Sequence, residues 1–411
     1  MKRYLFILFV LCNLAIFAKS FTYYGTFIRG TDGQMYYAYA RSFLLDFDLN
    51  FKNEFHELTP YPEKIHGTLS RVEETKTGHL KNKYPIGYGV ATIPFFLIAH
   101  IATKLINIFL ENGIEENGYT VIYDTVCSFG HLIYSLLGLY FCYKFLKKFF
   151  REKIVVLALL SVWFGTALLY YASIFNMMAH ACGFFCISFL FYLSYRSKDD
   201  FFAKQIDFYM ISFLCGLCVI IRPTNIIFLT YPFYLILKNI LTIRQTRRLP
   251  VVVLVTGGLL FLSVISLQFL AWKAIYGSFF KYTYENEGFN FLKPQFTATL
   301  FSIKHGFLTC HPIAFLSLAG LLYGVVKRAG QGEPYIFMAL LVLHGYILSS
   351  WWCPSFGDSF GARNFIEPSI ITAFGLCLFY TYVCKHVKIN IALSMSAAAL
   401  NLVLLYKYMF G

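Results

Sequence analysis

Long apolar runs recur along the whole chain, and short stretches rich in lysine and arginine separate them. Of the 411 residues, 58% are hydrophobic and only 14% are charged, and the mean hydropathy is +0.60. Soluble domains carry about 25% charged residues. A chain this apolar needs lipid as its solvent, where every backbone polar group must be bonded within the protein. The pattern therefore predicts an all-α polytopic membrane protein.

The net charge of +14 comes from basic residues that lie between the apolar runs. Such clusters follow the excess of lysine and arginine in cytoplasmic loops rather than the basic surface of a nucleic-acid-binding protein. We therefore exclude nucleic acid as a partner. The clusters placed on the cytoplasmic side are Lys144, Lys147, Lys148, Arg151, Lys153, Arg196, Lys198, Lys204, Lys238, Arg244, Arg247, Arg248, Lys327, Arg328, Lys385 and Lys388.

The apolar runs that alternate across this charge pattern give about eleven spans, with the C-terminus outside. The N-terminal run is predicted to be a retained first span, and a signal peptide cleaved at Ala18 is the alternative. The later spans are predicted near 127–146, 153–171, 179–194, 206–221, 224–237, 251–272, 313–326, 335–350, 366–384 and 389–406.

Residues 20–122 form the predicted first extracytoplasmic loop. Its segment 86–110 is long enough to span a membrane, but His100 and Lys104 interrupt it. A full crossing there would also move the basic cluster that follows residue 146 to the outside. We therefore predict that this segment lies in the outer interface. One membrane domain over residues 1–411, without a separate soluble domain, is the simplest division.

Most of the cysteines lie within apolar runs. Cys215 and Cys218 form a C-x-x-C with no histidine or acidic neighbour, which favours apolar packing over zinc or redox chemistry. Cys310 and Cys353 are the pair expected in outer loops, where a disulfide between them is one alternative.

With this topology the unusual polar residues converge on the outer face. They come from loops and span ends that are far apart in the sequence. Ionisable groups near membrane depth usually face a cavity or a partner, so their convergence predicts a site. The residues are Asp32, Lys83, His180, Arg222, Glu285, Glu287, His305, Asp358 and Arg363.

Each of these residues also has a purely structural interpretation. Asp32 could be the N-cap of the helix that the apolar spacing predicts after it. Lys83 could snorkel to the interface. His180 and Arg222 could mark the ends of spans, and the two glutamates could be solvated loop charges.

The segment "LLDFDLNF" contains Asp46 and Asp48 in a D-x-D pattern. Two such carboxylates can hold a divalent cation, Mg²⁺ or Mn²⁺, that bridges a phosphate. The segment also lies where the tyrosine-rich helix should end, so a structural use stays open. Asp358 and Arg363 could likewise simply pair with each other.

Three stretches carry a resemblance to a known superfamily: "TDGQMYYAYARSFLLDFDLNF", "NKYPIGYGVATIPFFLIAH" and "GDSFGARNFIEP". Together with a first span followed by a long outer loop, they resemble the GT-C membrane glycosyltransferases, which use polyprenyl-phosphate sugars. Protein O-mannosyltransferases and the aminoarabinose transferases of lipid A are the members most similar to this chain. The resemblance covers most of the chain as architecture, and the motifs themselves are short.

The resemblance implies that Asp32 is the catalytic carboxylate, because it matches the first-loop aspartate of the superfamily. The Lys/His-Pro-Pro motif of those proteins corresponds here to Lys83-Tyr84-Pro85, with tyrosine in place of the first proline. Relatives often carry Asp-Glu where this chain has Asp32-Gly33. They also have a membrane-parallel helix after the first-loop motif, as the charge pattern predicts for 86–110.

The implied function is inverting transfer of a sugar from a polyprenyl monophosphate, such as undecaprenyl phosphate, to a glycan, lipid or protein acceptor. It would take place at the outer face of the cytoplasmic membrane, with Asp32 as general base. A divalent cation is an open alternative rather than a requirement. The residues expected to bind the donor phosphate or sugar are Lys83, Tyr84, His180, Arg222 and Arg363, with Glu287, His305 and Asp358 as further candidates.

Two other functions fit the same sequence. A secondary transporter or lipid flippase would use many spans and scattered charges, but the two halves of the chain lack paired broken helices. A structural or assembly factor of an envelope complex would leave the convergence of ionisable groups on one face unexplained.

Overall fold

The computed structural model describes residues 2–58, 69, 71–243, 250–328, 332–357 and 359–410, and these residues are overwhelmingly helical. Two isolated β-bridges are the only extended pairings in this part of the chain. The first eight helices are α1 (Lys2–Tyr24), α2 (Gly30–Arg41), α3 (Lys52–His56), α4 (Gly87–Asn107), α5 (Val121–Leu146), α6 (Glu152–Gly165), α7 (Ala179–Arg196) and α8 (Gln205–Ile221).

Several of the remaining helices are extended or joined by short irregular turns of helix. A 3₁₀ segment follows α8, and π-helical turns follow α2, α6 and α15. The second eight helices are α9 (Thr230–Ile243), α10 (Val251–Tyr276), α11 (Phe296–Phe301), α12 (Phe307–Cys310), α13 (Ile313–Val326), α14 (Glu333–Ser349), α15 (Ser369–Leu378) and α16 (Val387–Phe410).

Long apolar helices with outward-facing aliphatic side chains indicate a membrane protein. Leu259 and Leu262 on α10 are 62% and 58% exposed, as suits side chains that face lipid. Within the described residues, 6 stretches are long and apolar enough to cross a bilayer: Ile7–Tyr24, Gly87–Asn107, Val121–Leu146, Pro223–Thr242, Val251–Tyr276 and Val387–Phe410. The all-helical membrane class is therefore as predicted, and the total of about eleven spans stays a prediction.

Side-chain contacts fix the directions of the central helices. Helices α5 and α7 run parallel, because Tyr134 stacks on Phe185 and Phe145 meets Tyr195 further along both helices. Helix α8 runs antiparallel to α7: His180 at the start of α7 meets Arg222 just after the end of α8. The chain thus alternates in direction from α5 to α8, as the predicted spans require.

The two ends of this bundle differ in chemistry. We call the end that holds His180 and Arg222 the site end. At the opposite end Lys147 pairs with Glu152 at 3.6 Å, between α5 and α6, and Arg196 at the end of α7 pairs with the first turn of α8. We call this the basic end. Of the predicted cytoplasmic clusters, those that join α5 to α6 and α7 to α8 lie here.

Helix α4 lies beside only the first half of α5. The Tyr134 hydroxyl donates to the carbonyl of Ala91, and His100 meets Tyr123 at 2.6 Å, so the two helices are antiparallel. Ser128 of α5 is level with the residues that precede α7. Most of α4 therefore extends beyond the layer that α7 occupies. The length of α4 alone would suit a membrane crossing. Its position relative to α5 and α7 agrees instead with the outer interface, and that position stays a prediction.

Helix α1 is packed into the bundle. The Asn13 side-chain oxygen accepts hydrogen bonds from Trp163 Nε1 and Ser173 Oγ, both at 3.1 Å. Ser20 reaches the carbonyl of Ile174 at 3.1 Å. These polar contacts pack α1 against α6 and the segment before α7, and the choice between a retained span and a signal peptide cleaved at Ala18 stays a prediction.

Helices α13 and α15 cross at the closest backbone approach to a glycine in the described chain. A Cβ built on Gly320 would lie 1.9 Å from the carbonyl oxygen of Gly375, and one built on Gly375 would lie 2.5 Å from that of Ser317. Small residues at such crossings allow helices in lipid to pack through their backbones. The position of α15, and of the loop before it, depends on this contact.

Gly320→Ala should therefore destabilise the protein by about 1–3 kcal/mol, because the new methyl group meets backbone that cannot rotate away. The thermal unfolding midpoint in detergent is the measurement. Gly258→Ala is the matched control, since a Cβ at Gly258 on α10 has no heavy atom within 4 Å. Equal midpoints for the two variants would contradict the tight crossing.

Candidate active site

Asp32 lies in the first turn of α2, and its carboxylate faces residues from two distant parts of the chain. Oδ2 accepts a hydrogen bond from Arg363 Nη1 at 3.0 Å. Oδ1 accepts a short hydrogen bond from the Tyr84 hydroxyl. Helix α2 begins at Gly30 with Arg29 in the N-cap position. The N-cap interpretation of Asp32 is therefore wrong, and its carboxylate binds Tyr84 and Arg363 instead.

Hydrogen bonds to a carboxylate of α5 hold the backbone segment that precedes Asp32. The Asp124 carboxylate of α5 accepts hydrogen bonds from the amides of Phe27 and Ile28 at 3.0–3.1 Å. Gly30 then turns the chain with φ of +70°, a conformation that favours glycine. Gly33 packs against the Met177 carbonyl, where a Cβ would lie at 3.2 Å. This glycine therefore allows α2 to pack closely against the segment before α7.

Charge and hydrogen bonding keep Asp32 ionised. Burial alone would raise its pKa, but the nearby Arg363 guanidinium, the Tyr84 hydroxyl and the Lys83 ammonium bring the pKa below its ordinary value. Burial and the Asp32 charge together raise the pKa of Tyr84 well above its ordinary value. Tyr84 is therefore a protonated donor and Asp32 a carboxylate acceptor at neutral pH.

Lys83 and its neighbour Lys81 form ion pairs with glutamates of the α10–α11 connection. Lys83 Nζ lies 2.5 Å from Glu287 Oε1, and Lys81 Nζ lies 2.9 Å from Glu285 Oε1. The Thr283 hydroxyl donates to the Lys83 carbonyl at 2.7 Å. Glu287 is therefore a half-buried partner of Lys83 rather than a solvated charge, whereas Glu285 is 44% exposed and remains a solvated loop charge that also pairs with Lys81.

A second cluster contains His180, Arg222 and a glutamate that the sequence analysis missed. Glu367 Oε1 lies 2.9 Å from His180 Nδ1 and 3.1 Å from Arg222 Nη1. Glu367 is only 1% exposed, and its Oε2 has no hydrogen-bond partner among the described residues. Its position just before Pro368, at the start of a predicted span, was the available signal, since a carboxylate at that depth needs a partner.

Tyr284, from the α10–α11 connection, links the two clusters electrostatically. Its half-buried ring lies 6.3 Å from the ring of Tyr84 and 5.4 Å from Lys83 Nζ, and desolvation raises the pKa of Tyr284 to about 12. Four charged side chains act electrostatically on its hydroxyl. They are Arg222, Asp32, Glu287 and Arg363. Tyr284 therefore contacts Tyr84 and Lys83 of the first cluster and interacts electrostatically with Arg222 of the second.

The loop that carries Arg363 is held by two histidines, one between α12 and α13 and the other on α14. The Ala362 amide donates to His311 Nε2 at 3.2 Å, and His344 Nε2 meets the carbonyl of Asn364 at 2.7 Å. The Phe365 ring stacks on Phe307 at 4.0 Å. These contacts come from residues before α13, within α12 and within α14, so Arg363 reaches Asp32 only when that part of the chain is folded.

Three further predictions concern Asp358, His305 and the pair Cys310 and Cys353. Asp358 lies outside the described residues. His305 is half-buried in the turn before α12, and its role stays a prediction. Cys310 and Cys353 are both free thiols, the first buried and the second half-buried, so the disulfide alternative is not what the structure contains.

Asp46 and Asp48 are engaged inside the chain. Asp46 pairs with Arg41 and accepts a hydrogen bond from Asn53 Nδ2 at 2.7 Å. Asp48 Oδ1 accepts from the Ser42 hydroxyl at 2.7 Å. Within the described ranges no three histidine, cysteine or acidic side chains form a group that could hold a metal. A guanidinium beside Asp46 does not suit a divalent cation, so metal binding there stays a prediction without support from this geometry.

Comparison of the chain with models of known protein families, with curated proteins and with solved structures returned no match.

Proposed function

We propose that this protein is an inverting membrane glycosyltransferase that moves a sugar from a polyprenyl monophosphate to an acceptor hydroxyl. One observation carries the proposal: an ionised carboxylate, Asp32, lies in a cluster with Arg363, Lys83 and Arg222 at one end of an apolar helical bundle. A base beside several phosphate-binding groups is what sugar transfer from a phosphate leaving group requires. The GT-C resemblance of the first loop points to the same reaction.

Asp32 is the proposed general base. A nucleophilic hydroxyl must lose its proton as it attacks the anomeric carbon, and an ionised carboxylate can accept that proton. Tyr84 and Arg363 each hold one carboxylate oxygen, which fixes the orientation of the group. In an inverting reaction the acceptor attacks from the side opposite the phosphate, so a single base is sufficient.

The donor phosphate leaves as an anion that needs charge stabilisation more than a proton. Lys83, Arg222 and Arg363 supply positive charge, and arginine can hold phosphate oxygens with two parallel hydrogen bonds. The side chains of Arg222 and Arg363 are 18% and 16% exposed, so each is partly accessible from the site. His180 and Tyr84 are the proposed further contacts to the phosphate or the sugar.

The proposed site faces the extracytoplasmic side of the cytoplasmic membrane. The lysine and arginine clusters of the basic end are expected in the cytoplasm, and Asp32 lies at the other end of the bundle. A polyprenyl tail would remain in the bilayer beside the apolar helices while its phosphate reaches the interface. The sugar and the acceptor are not specified by these residues.

Asp32→Asn should lower sugar transfer by about 10²- to 10⁴-fold, the usual contribution of a general base. The amide keeps the size of the side chain and can still accept from Tyr84. The assay measures release of undecaprenyl phosphate from a panel of undecaprenyl-phosphate sugars. Asp48→Asn is the control on the same loop and should retain activity. Near-normal transfer by Asp32→Asn would rule out this role, and solute transport without a covalent product would favour a transporter.

Glu287→Gln should strengthen the binding of undecaprenyl phosphate by about fivefold, because Glu287 competes with the phosphate for Lys83. Glu285→Gln is the matched control: it removes the parallel pair with Lys81, two residues away, and should leave binding unchanged. Binding is measured on purified protein in nanodiscs. An equal effect of the two variants would show that Lys83 is not a phosphate ligand.

Two half-buried thiols provide a test of orientation. Cys353 follows α14 beside the site, and Cys384 follows α15 at the other end of the bundle. A membrane-impermeant maleimide added to intact cells should label Cys353, and Cys384 should be labelled only after permeabilisation. Variants in which one or the other is replaced by serine identify the reacting thiol. Labelling of Cys384 in intact cells would reverse the proposed topology.

A further inference from the structure

Arg222 lies outside any helix, so helical geometry does not fix the direction of its side chain. Helix α8 ends at Ile221, and Arg222 has an extended backbone with φ of −151° and ψ of 121°. Pro223 then begins the 3₁₀ segment. The direction of the guanidinium therefore depends on contacts with other parts of the chain, namely His180 Nδ1 at 2.5 Å and Glu367 Oε1 at 3.1 Å.

The aliphatic part of the Glu367 side chain is tightly packed against α7. Its side chain crosses α7 at Gly183, where a Cβ would lie 2.8 Å from the Glu367 Cγ. Only glycine at that position leaves room for the carboxylate to reach Arg222. Pro368 follows directly and restricts the backbone of Glu367. The carboxylate is thus a fixed acceptor for the Arg222 guanidinium.

The same short turn carries Arg363, four residues before Glu367. Arg363 is bound to Asp32, and Glu367 is bound to Arg222. The turn therefore sets the separation between the two arginines that would share one phosphate. Both arginines keep part of their surface exposed, whereas Glu367 is 1% exposed and cannot reach a substrate.

We infer that Glu367 is a positioning residue, which holds the guanidinium of Arg222 where the donor phosphate binds. This inference rests on the proposed function, because it takes the phosphate to be the ligand of Arg222. Misplacement of a charge-assisted contact by about 1 Å can cost two orders of magnitude in rate. A buried carboxylate that fixes an arginine would keep the arginine in place between turnovers.

A purely structural role for Glu367 makes a different prediction. If the carboxylate only neutralised buried positive charge, its loss would lower stability without coupling to phosphate binding. If it positions Arg222, its effect on phosphate binding must pass through Arg222 and disappear when Arg222 is already replaced. A double-mutant cycle distinguishes these outcomes.

The experiment measures the dissociation constant of undecaprenyl phosphate for the full-length protein in nanodiscs, with thermal midpoints to verify folding. Glu367→Gln keeps the volume and one acceptor oxygen but removes the charge. It should weaken binding about tenfold, as the loss of a charge-assisted contact does. In an Arg222→Gln background it should add nothing, whereas with Lys83→Gln the two effects should multiply.

Gly183→Ala supplies a second variant that leaves every charge in place. Its methyl group should displace Glu367 and weaken undecaprenyl phosphate binding in the same direction. Gly345→Ala is the matched control, because a Cβ at Gly345 on α14 meets no heavy atom within 4 Å. This variant should bind like the wild type. Should Glu367→Gln fail to fold, the comparison of the two glycine variants decides.

Unchanged or stronger binding by folded Glu367→Gln, or a full additional loss in the Arg222→Gln background, would overturn the positioning role, because stronger binding would make Glu367 a competitor of the phosphate for Arg222. If the wild type transfers sugar and binds undecaprenyl phosphate while Glu367→Gln binds equally well, this inference alone fails. If the wild type binds no undecaprenyl phosphate at all, the proposed function fails and the inference fails with it.

Discussion

The ion pair between Asp32 and Arg363 joins residues that are 331 positions apart in the chain. Partly buried charges are costly unless they are paired and supported by further hydrogen bonds. The pair therefore exists only because both partners are held in position before they meet. Asp124 fixes the backbone before Asp32, and His311 and His344 fix the loop of Arg363. Helices from both halves of the chain thus converge on one contact.

Close helix packing in turn positions the segments that carry this ion pair. Arg363 lies immediately before α15, and α15 is held against α13 by backbone contact at Gly320 and Gly375. In lipid, burial of apolar surface drives helix association little, so close backbone packing and internal polar contacts must supply specificity. The abundance of buried polar side chains agrees with this. Asn13, for example, joins α1 to Trp163 and to Ser173 beyond α6.

Sequence patterns predicted the class of protein and several of the residues that meet. The apolar runs predicted an all-helical membrane protein, and the charge pattern grouped Asp32, Lys83, Arg222 and Arg363 at one end. Glu367 was missed although it lies in "GDSFGARNFIEP", because only its predicted depth at the start of a span indicated that it needs a partner. Glu287 was read as a solvated charge, since nothing in "YENEGF" indicates a lysine 204 positions away.

Local composition therefore determined which solvent the chain needs, where its helices lie and which ends carry basic residues. These properties depend on neighbouring residues, and periodicity and charge report them directly. Only the tertiary structure decided that Asp32 is not an N-cap and that Tyr84 and Arg363 bind its two oxygens. It also decided that Glu367 binds Arg222. Those pairings join distant segments through side-chain geometry, which no local pattern encodes.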